Sequence, residues 1–164
     1  MRKNYKALII GVSLTGKSTL IRYLRKTNAS FPVQEIDEEL ERLNGGSYPK
    51  DDTYKNTILA PQIKNEILNK ENILFFTNAH YFTFEDLEKA RSKGFKIIQL
   101  SLDKVELERR NTYRMAHEGY EDHSHWLDAM LAYQKEISEK GLVDTVIETN
   151  KSVEKIAEEF LTSL

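Results

Sequence analysis

The stretch Gly11–Thr19 reads GVSLTGKST and satisfies the pattern GxxxxGK[ST]. This pattern constrains the fold strongly, because it works only between a buried strand and the first turn of a helix. Both neighbours are present. YKALII (5–10) is a short apolar run, and STLIRYLRK (18–26) puts Leu20, Ile21 and Leu24 on one helical stripe. Gly11 and Gly16 permit backbone turns that a side chain would obstruct. The loop amides, from Ser13 through Leu14, Thr15 and Gly16, can then converge on phosphate oxygens at the positive end of the helix. Lys17 is placed for the β- and γ-phosphates, Ser18 for Mg²⁺ and Thr19 for the α-phosphate. The loop predicts a nucleoside triphosphate site. It does not specify a reaction.

Beyond the loop, apolar runs and helical stripes alternate. Strands are expected at 31–36 (FPVQEI), 73–77 (ILFFT), 95–102 (FKIIQLSL) and 142–148 (LVDTVIE). Helices are expected from Asp37 to Leu43, from Thr53 to Leu68 with a kink or restart at Pro61, from Thr83 to Ser92, from Asp103 toward Arg110, from Trp126 to Lys140, and again at the end of the chain. Thr83 with Asp86 and Asp103 with Glu106 have the spacing of N-terminal caps, and Gly141 is placed to end a helix. The stretch 115–124 has little apolar periodicity and reads as a loop. Strand and helix thus alternate about five times, which predicts an α/β fold on a parallel sheet with helices on both faces.

Composition narrows the class further. The 164 residues are 40% hydrophobic and 30% charged, the profile of a folded globular chain. The formal net charge is -2. That argues against nucleic acid as a partner, although a local basic groove remains open. The absence of cysteine removes disulfide, thiol and Cys-ligated metal chemistry. No apolar run approaches the roughly 20 residues of a membrane span. A cytoplasmic location is expected, and a homodimer is compatible with the sequence.

Through GVSLTGKST and this order of elements, the chain resembles the P-loop small-molecule kinases, the group holding nucleoside monophosphate kinases, shikimate kinase and gluconate kinase. The likeness in element order runs over nearly the whole length; the specific motif is the loop. The resemblance implies a three-layer α/β/α fold with a five-stranded parallel sheet, order 2-3-1-4-5, as a single domain over 1–164. It implies ATP with Mg²⁺, an acceptor-binding segment at about 37–70 and an arginine-bearing lid at about 110–124. In ELERRNTYRM it places Arg110 and Arg114 over the transferring phosphate beside Lys17. Guanidinium groups fork onto phosphate oxygens, and a closing segment excludes water. Of the adjacent pair, Arg109 is the one more readily turned away. Asp37, just after the second strand, is implied as a Mg²⁺ ligand with Ser18 or as the group that activates an acceptor hydroxyl, with Glu38 or Glu39 in a second acidic role. As an ordinary feature, the same Asp37 is a helix N-cap. Asn150, with Thr149, lies where such kinases read adenine.

The sequence also departs from that group. The third strand ends in Thr77 and Asn78, where many relatives carry a carboxylate, and the DGxPR sequence of adenylate kinases is absent. His80 near that strand end reads as a surface residue. The histidines 117, 123 and 125 make a poor metal set on a polar segment. The expected activity is an ATP-dependent phosphotransfer to a small molecule or nucleotide. The rivals are a kinase of polynucleotide ends and a nucleotide-binding regulatory protein without phosphotransfer.

Overall fold

The computed structural model describes residues 3–12 and 14–164. Five strands, β1 (Lys6–Gly11), β2 (Val33–Glu35), β3 (Ile73–Asn78), β4 (Lys96–Ser101) and β5 (Thr145–Glu148), form one sheet in the order β2-β3-β1-β4-β5. Every pairing is parallel. The sheet is therefore the expected one, with β1 at its centre. The register sets Gly11 beside Asn78 on β3, so the phosphate loop leaves the sheet at the carboxyl ends of the strands.

β1 is apolar from Ala7 to Ile10 because both of its faces are covered there. Leu8 and Ile10 face one core with Phe75, Ile97, Ile63 and Leu107. Ala7 and Ile9 face the other with Leu74, Phe76, Leu20 and Phe160. The second core packs α1 (Lys17–Thr27) and α8 (Val153–Ser163) on one side of the sheet. The first core takes α2 (Ile36–Leu43), α4 (Ala60–Leu68), α5 (Phe84–Ser92), α6 (Lys104–His117) and α7 (Ser124–Glu139) on the other.

The caps follow the sequence. Thr83 and Asp86 form a reciprocal box at the start of α5, and Asp103 accepts from the Glu106 N–H at 2.9 Å. Gly141, at φ 70, turns the chain out of α7.

Three local expectations are corrected. The break expected at Pro61 lies upstream: Lys55–Leu59 winds as a π segment between a single turn at α3 (Asp52–Tyr54) and α4. Pro61 has no N–H to reach back to Thr57, and the Ala60 N–H donates to the Lys55 carbonyl instead. The loop expected over 115–124 is shorter, because α6 runs on to His117 and α7 begins at Ser124. Tyr113 stacks on His117 at 4.3 Å between ring centroids and Arg114 pairs with Glu118, both at i,i+4, and these contacts extend the helix without any apolar stripe. Asp37 is not the N-cap of α2; Glu35 holds that place and Asp37 sits in the first turn. Among the described residues no helix is long and apolar enough to cross a membrane.

Candidate active site

A cleft of about 770 Å³ opens at the carboxyl end of the sheet. Its floor is Gly16, Lys17, Ser18 and Thr19. Gly16 stands at φ 90 and precedes α1 with no side-chain cap, and the first turn of that helix carries no acidic residue. Its leading N–H groups and the positive end of its dipole are thus left for an anion. Leu14 also holds a positive φ, 77. A Cβ on Gly11 would meet the Thr15 Oγ1 at 2.7 Å and the Lys17 side chain at 3.1 Å, so the loop closes too tightly for alanine there. The buried Thr15 hydroxyl donates to the Val12 carbonyl at 2.7 Å and fastens the turn. Ser13 lies outside the described residues.

Lys17 Nζ donates to the Gly11 carbonyl at 2.8 Å and approaches that of Val12 at 3.4 Å. Burial pushes its pKa down to about 8, against the opposing pull of Asp37 and Glu35. The ammonium is held by loop carbonyls and faced by two carboxylates across the cleft.

Those carboxylates form the acidic wall with Asn78. Sequence reasoning singled out Asp37 and missed Glu35, the last residue of β2. Burial raises the Glu35 pKa to about 7, with Asp37 and Glu38 adding to the rise. Burial also raises that of Asp37, while Lys17 and Lys55 oppose it. Two neighbouring carboxyls in the cleft that Ser18 also lines are the kind of oxygen donors a hard divalent cation takes. They fit Mg²⁺, and its charge would relieve their mutual repulsion. Thr77 is buried and donates to the Asn78 carbonyl, so the uncharged end of β3 leaves Glu35 and Asp37 as the carboxylates on this wall.

The third wall is basic and aromatic: Arg109, Arg110, Tyr113 and Arg114 from α6, and Tyr120 from the loop that follows. Arg110 donates to the Leu14 carbonyl at 2.9 Å and to Glu106 at 3.2 Å. Arg109 is more exposed and turns to Glu106 at 2.6 Å. The Arg114 guanidinium lies 3.8 Å above the Tyr120 ring. Arg22, one turn after Ser18 on α1, also lines the cleft and was not anticipated; its i,i+4 spacing from Ser18 was the available signal.

Of the other candidates His123 lines the cleft, while Asn150, Thr149, His80, His117 and His125 fall outside its lining. Asn150 is exposed in the loop after β5, and Ser152 rather than Asn150 caps α8. Thr149 is buried with its N–H and hydroxyl on the Ser101 carbonyl. His80, exposed at φ 76, stacks on Tyr81. Among the described residues no group of three metal-binding side chains includes His117, His123 and His125.

No protein-family model matches the chain. No curated protein matches it significantly. Solved structures do. A shikimate kinase from Bacteroides thetaiotaomicron superposes with a TM-score of 0.69 at 15% identity, over 98% of this chain and 99% of that one. A shikimate kinase from Aquifex aeolicus gives 0.67 at 20%, over 96% and 94%. A gluconokinase from Sinorhizobium meliloti gives 0.63 at 18%, over 99% and 93%. The chain has the fold of the P-loop small-molecule kinases.

Proposed function

We propose that this chain is an ATP-dependent phosphotransferase acting on a small molecule or nucleotide. One observation carries the reading: a single cleft gathers an uncapped helix N-terminus with Lys17, a pair of carboxyls and a wall of arginines. Phosphoryl transfer asks for positioning and charge compensation at these three places. The solved structures that share the fold are named as kinases of shikimate and gluconate, which agrees with it.

The loop amides and Thr19 bind the phosphates, and Lys17 leaves the Gly11 and Val12 carbonyls to meet the β- and γ-oxygens. Ser18, Asp37 and Glu35 would hold Mg²⁺, which would supply positive charge to offset the negative charge developing on the phosphates. Arg110 and Arg114 approach the transferring group from the opposite wall. Asp37 orients or deprotonates the acceptor hydroxyl. The acceptor lies toward segment 37–70, and the lid is the end of α6 with the loop after it.

The uncharged end of β3, Thr77 and Asn78, is the feature that favours a nucleotide-binding protein without phosphotransfer. Glu35, one strand over, supplies an acidic group to the same wall and removes that support.

Calorimetric titration with Mg-ATP tests the binding half directly. The wild-type chain binds with saturation, and binding weakens at least about tenfold without Mg²⁺ or in Lys17→Ala, the loss of one charged contact. Equal affinity in all three refutes the assignment of the loop.

A further inference from the structure

The six residues between α6 and α7, 118–123, are tied at both ends. At the first, the N–H groups of Glu118 and Tyr120 donate to the Arg114 carbonyl at 3.0 and 3.3 Å. At the second, the tie comes from Asn111 on α6, which is only 5% exposed. Its Nδ2 donates to Asp122 Oδ1 at 2.8 Å, and its Oδ1 accepts from the His123 N–H at 2.9 Å. Asp122 Oδ1 accepts a further bond, from the Ser124 N–H at 2.8 Å. The Ser124 amide and Asn111 together hold the Asp122 carboxyl down to about 2, so it is ionised throughout the neutral range.

Asparagine is a poor residue for a helix interior, and a buried amide is costly unless both of its ends are bonded. Here both ends are bonded to the loop. One turn further along α6, the Arg114 guanidinium rests 3.8 Å above the ring of Tyr120, at the middle of that loop, and both residues line the cleft. The place of the Tyr120 ring is set by the two ties, and the guanidinium is held between that ring and Glu118, the first residue of the same loop, 3.5 Å from it.

We propose that Asn111 is a positioning residue for the phosphate end of the cleft: it clasps Asp122 and His123, and so holds Tyr120 and the Arg114 guanidinium in one geometry. The inference rests on the phosphotransfer reading, in which Arg114 serves the transferring group. Asn111 touches neither phosphate nor metal. It acts through the loop.

Three variants test it. Asn111→Asp keeps the shape and the acceptor for His123 but sets a carboxylate against Asp122. Asn111→Asp combined with Asp122→Asn restores a single bond between the two side chains in the reverse direction, but the amide that then faces position 111 cannot also accept from the Ser124 N–H as Asp122 Oδ1 does. Asp122→Ala cuts the same tie at an exposed position and leaves the helix interior intact. The readouts are kcat and KM for ATP, and hydrogen exchange at the amides of Tyr120, His123 and Ser124.

Misplacement of a transition-state group lowers kcat with little change in ground-state binding. Asn111→Asp and Asp122→Ala should therefore lose about 10- to 100-fold in kcat while KM for ATP stays within about threefold. Exchange at the three amides should rise at least about tenfold in both. Relative to Asn111→Asp, the reversed pair should recover much of the kcat and the protection of Tyr120 and His123, while exchange at Ser124 stays raised. Wild-type kcat in Asn111→Asp and Asp122→Ala overturns the proposal, as does a reversed pair no better than Asn111→Asp. If the wild type phosphorylates no acceptor, the phosphotransfer reading falls by itself. The clasp is then judged by exchange alone, and unchanged exchange in both single variants overturns it.

Discussion

The Arg110 guanidinium donates to the carbonyl oxygen of Leu14 at 2.9 Å, joining α6 to the phosphate loop across 96 residues of sequence. Glu106 braces the same guanidinium at 3.2 Å. Leu14 sits at φ 77, a conformation that costs a non-glycine residue about 1–2 kcal/mol. The bond from Arg110 is one of the contacts that keep it there. The wall that carries the arginines is thus already attached to the loop that carries the amides.

Replacing Arg110 should therefore disturb both nucleotide binding and turnover. A hydrogen bond from a charged donor contributes about 1.5–3 kcal/mol, so Arg110→Ala should lose roughly 10- to 100-fold in kcat/KM for ATP. Arg110→Lys should recover little, because one ammonium cannot span Leu14 and Glu106 in the geometry of the guanidinium. Steady-state kinetics on the two variants checks this, and wild-type kcat/KM in Arg110→Lys contradicts it.

Lys17 carries its charge in the folded state at a disadvantage. Burial lowers its pKa from 10.5 to about 8, so between those values the folded protein binds the proton less tightly than the unfolded chain. Stability rises with pH across that window and is lower below it. Lys17→Met removes the buried charge. The variant should melt a few degrees above wild type at pH 7, at roughly 2–4 °C per kcal/mol for a chain of this size, while binding ATP at least about tenfold more weakly. A lower melting temperature refutes this account of Lys17.

Glu35 has the opposite sign. Burial raises its pKa from 4.5 to about 7, so the folded state holds the proton more tightly. The stability it contributes is complete below about 4.5 and lost as pH rises through about 7. Thermal scans from pH 5 to 8 should show Glu35→Gln gaining on wild type as pH rises. In activity the proton must leave before Glu35 can meet Mg²⁺, so kcat/KM for ATP should climb with an apparent pKa near 7. Survival of that limb in Glu35→Gln would remove Glu35 from the metal site.

Gly11 is required for space. The Cβ of alanine would press on the Thr15 hydroxyl at 2.7 Å and on Lys17 at 3.1 Å. Thr15 cannot move without losing its bond to Val12. Gly11→Ala should weaken ATP binding by about tenfold or more, in the range of one lost charged contact, with a smaller effect on melting. Unchanged ATP affinity contradicts the tightness of the loop.

The sheet was legible because its strands are apolar runs between turn signals, and the phosphate loop because its glycines and Lys17 have fixed spacing. The strand order came from the resemblance, since parallel strands carry no mark of their neighbours. Glu35 escaped notice because it lies inside the FPVQEI run, where a polar residue on an alternating strand looks solvent-facing; only the fold reveals that it turns into the cleft. Asn111 escaped for a similar reason, since an asparagine in a polar helix gives no sign that its partners lie 11 and 12 residues later. The length of α6 was hidden by its composition. Its last turn rests on the Tyr113–His117 stack and the Arg114–Glu118 pair rather than on apolar periodicity.

The measurement that reaches the central claim most directly is ADP release from Mg-ATP across a panel of acceptors, with Lys17→Ala as the blank. The panel holds nucleosides, nucleoside monophosphates, sugar acids, hydroxylated carbocycles, aminoglycoside-like alcohols and short RNA 5′ ends. The account predicts release that rises strongly with one class of small acceptor, transfers phosphate to it and vanishes in the variant. Tight Mg-ATP binding with no acceptor-stimulated release, or release that is the same in Lys17→Ala, contradicts it.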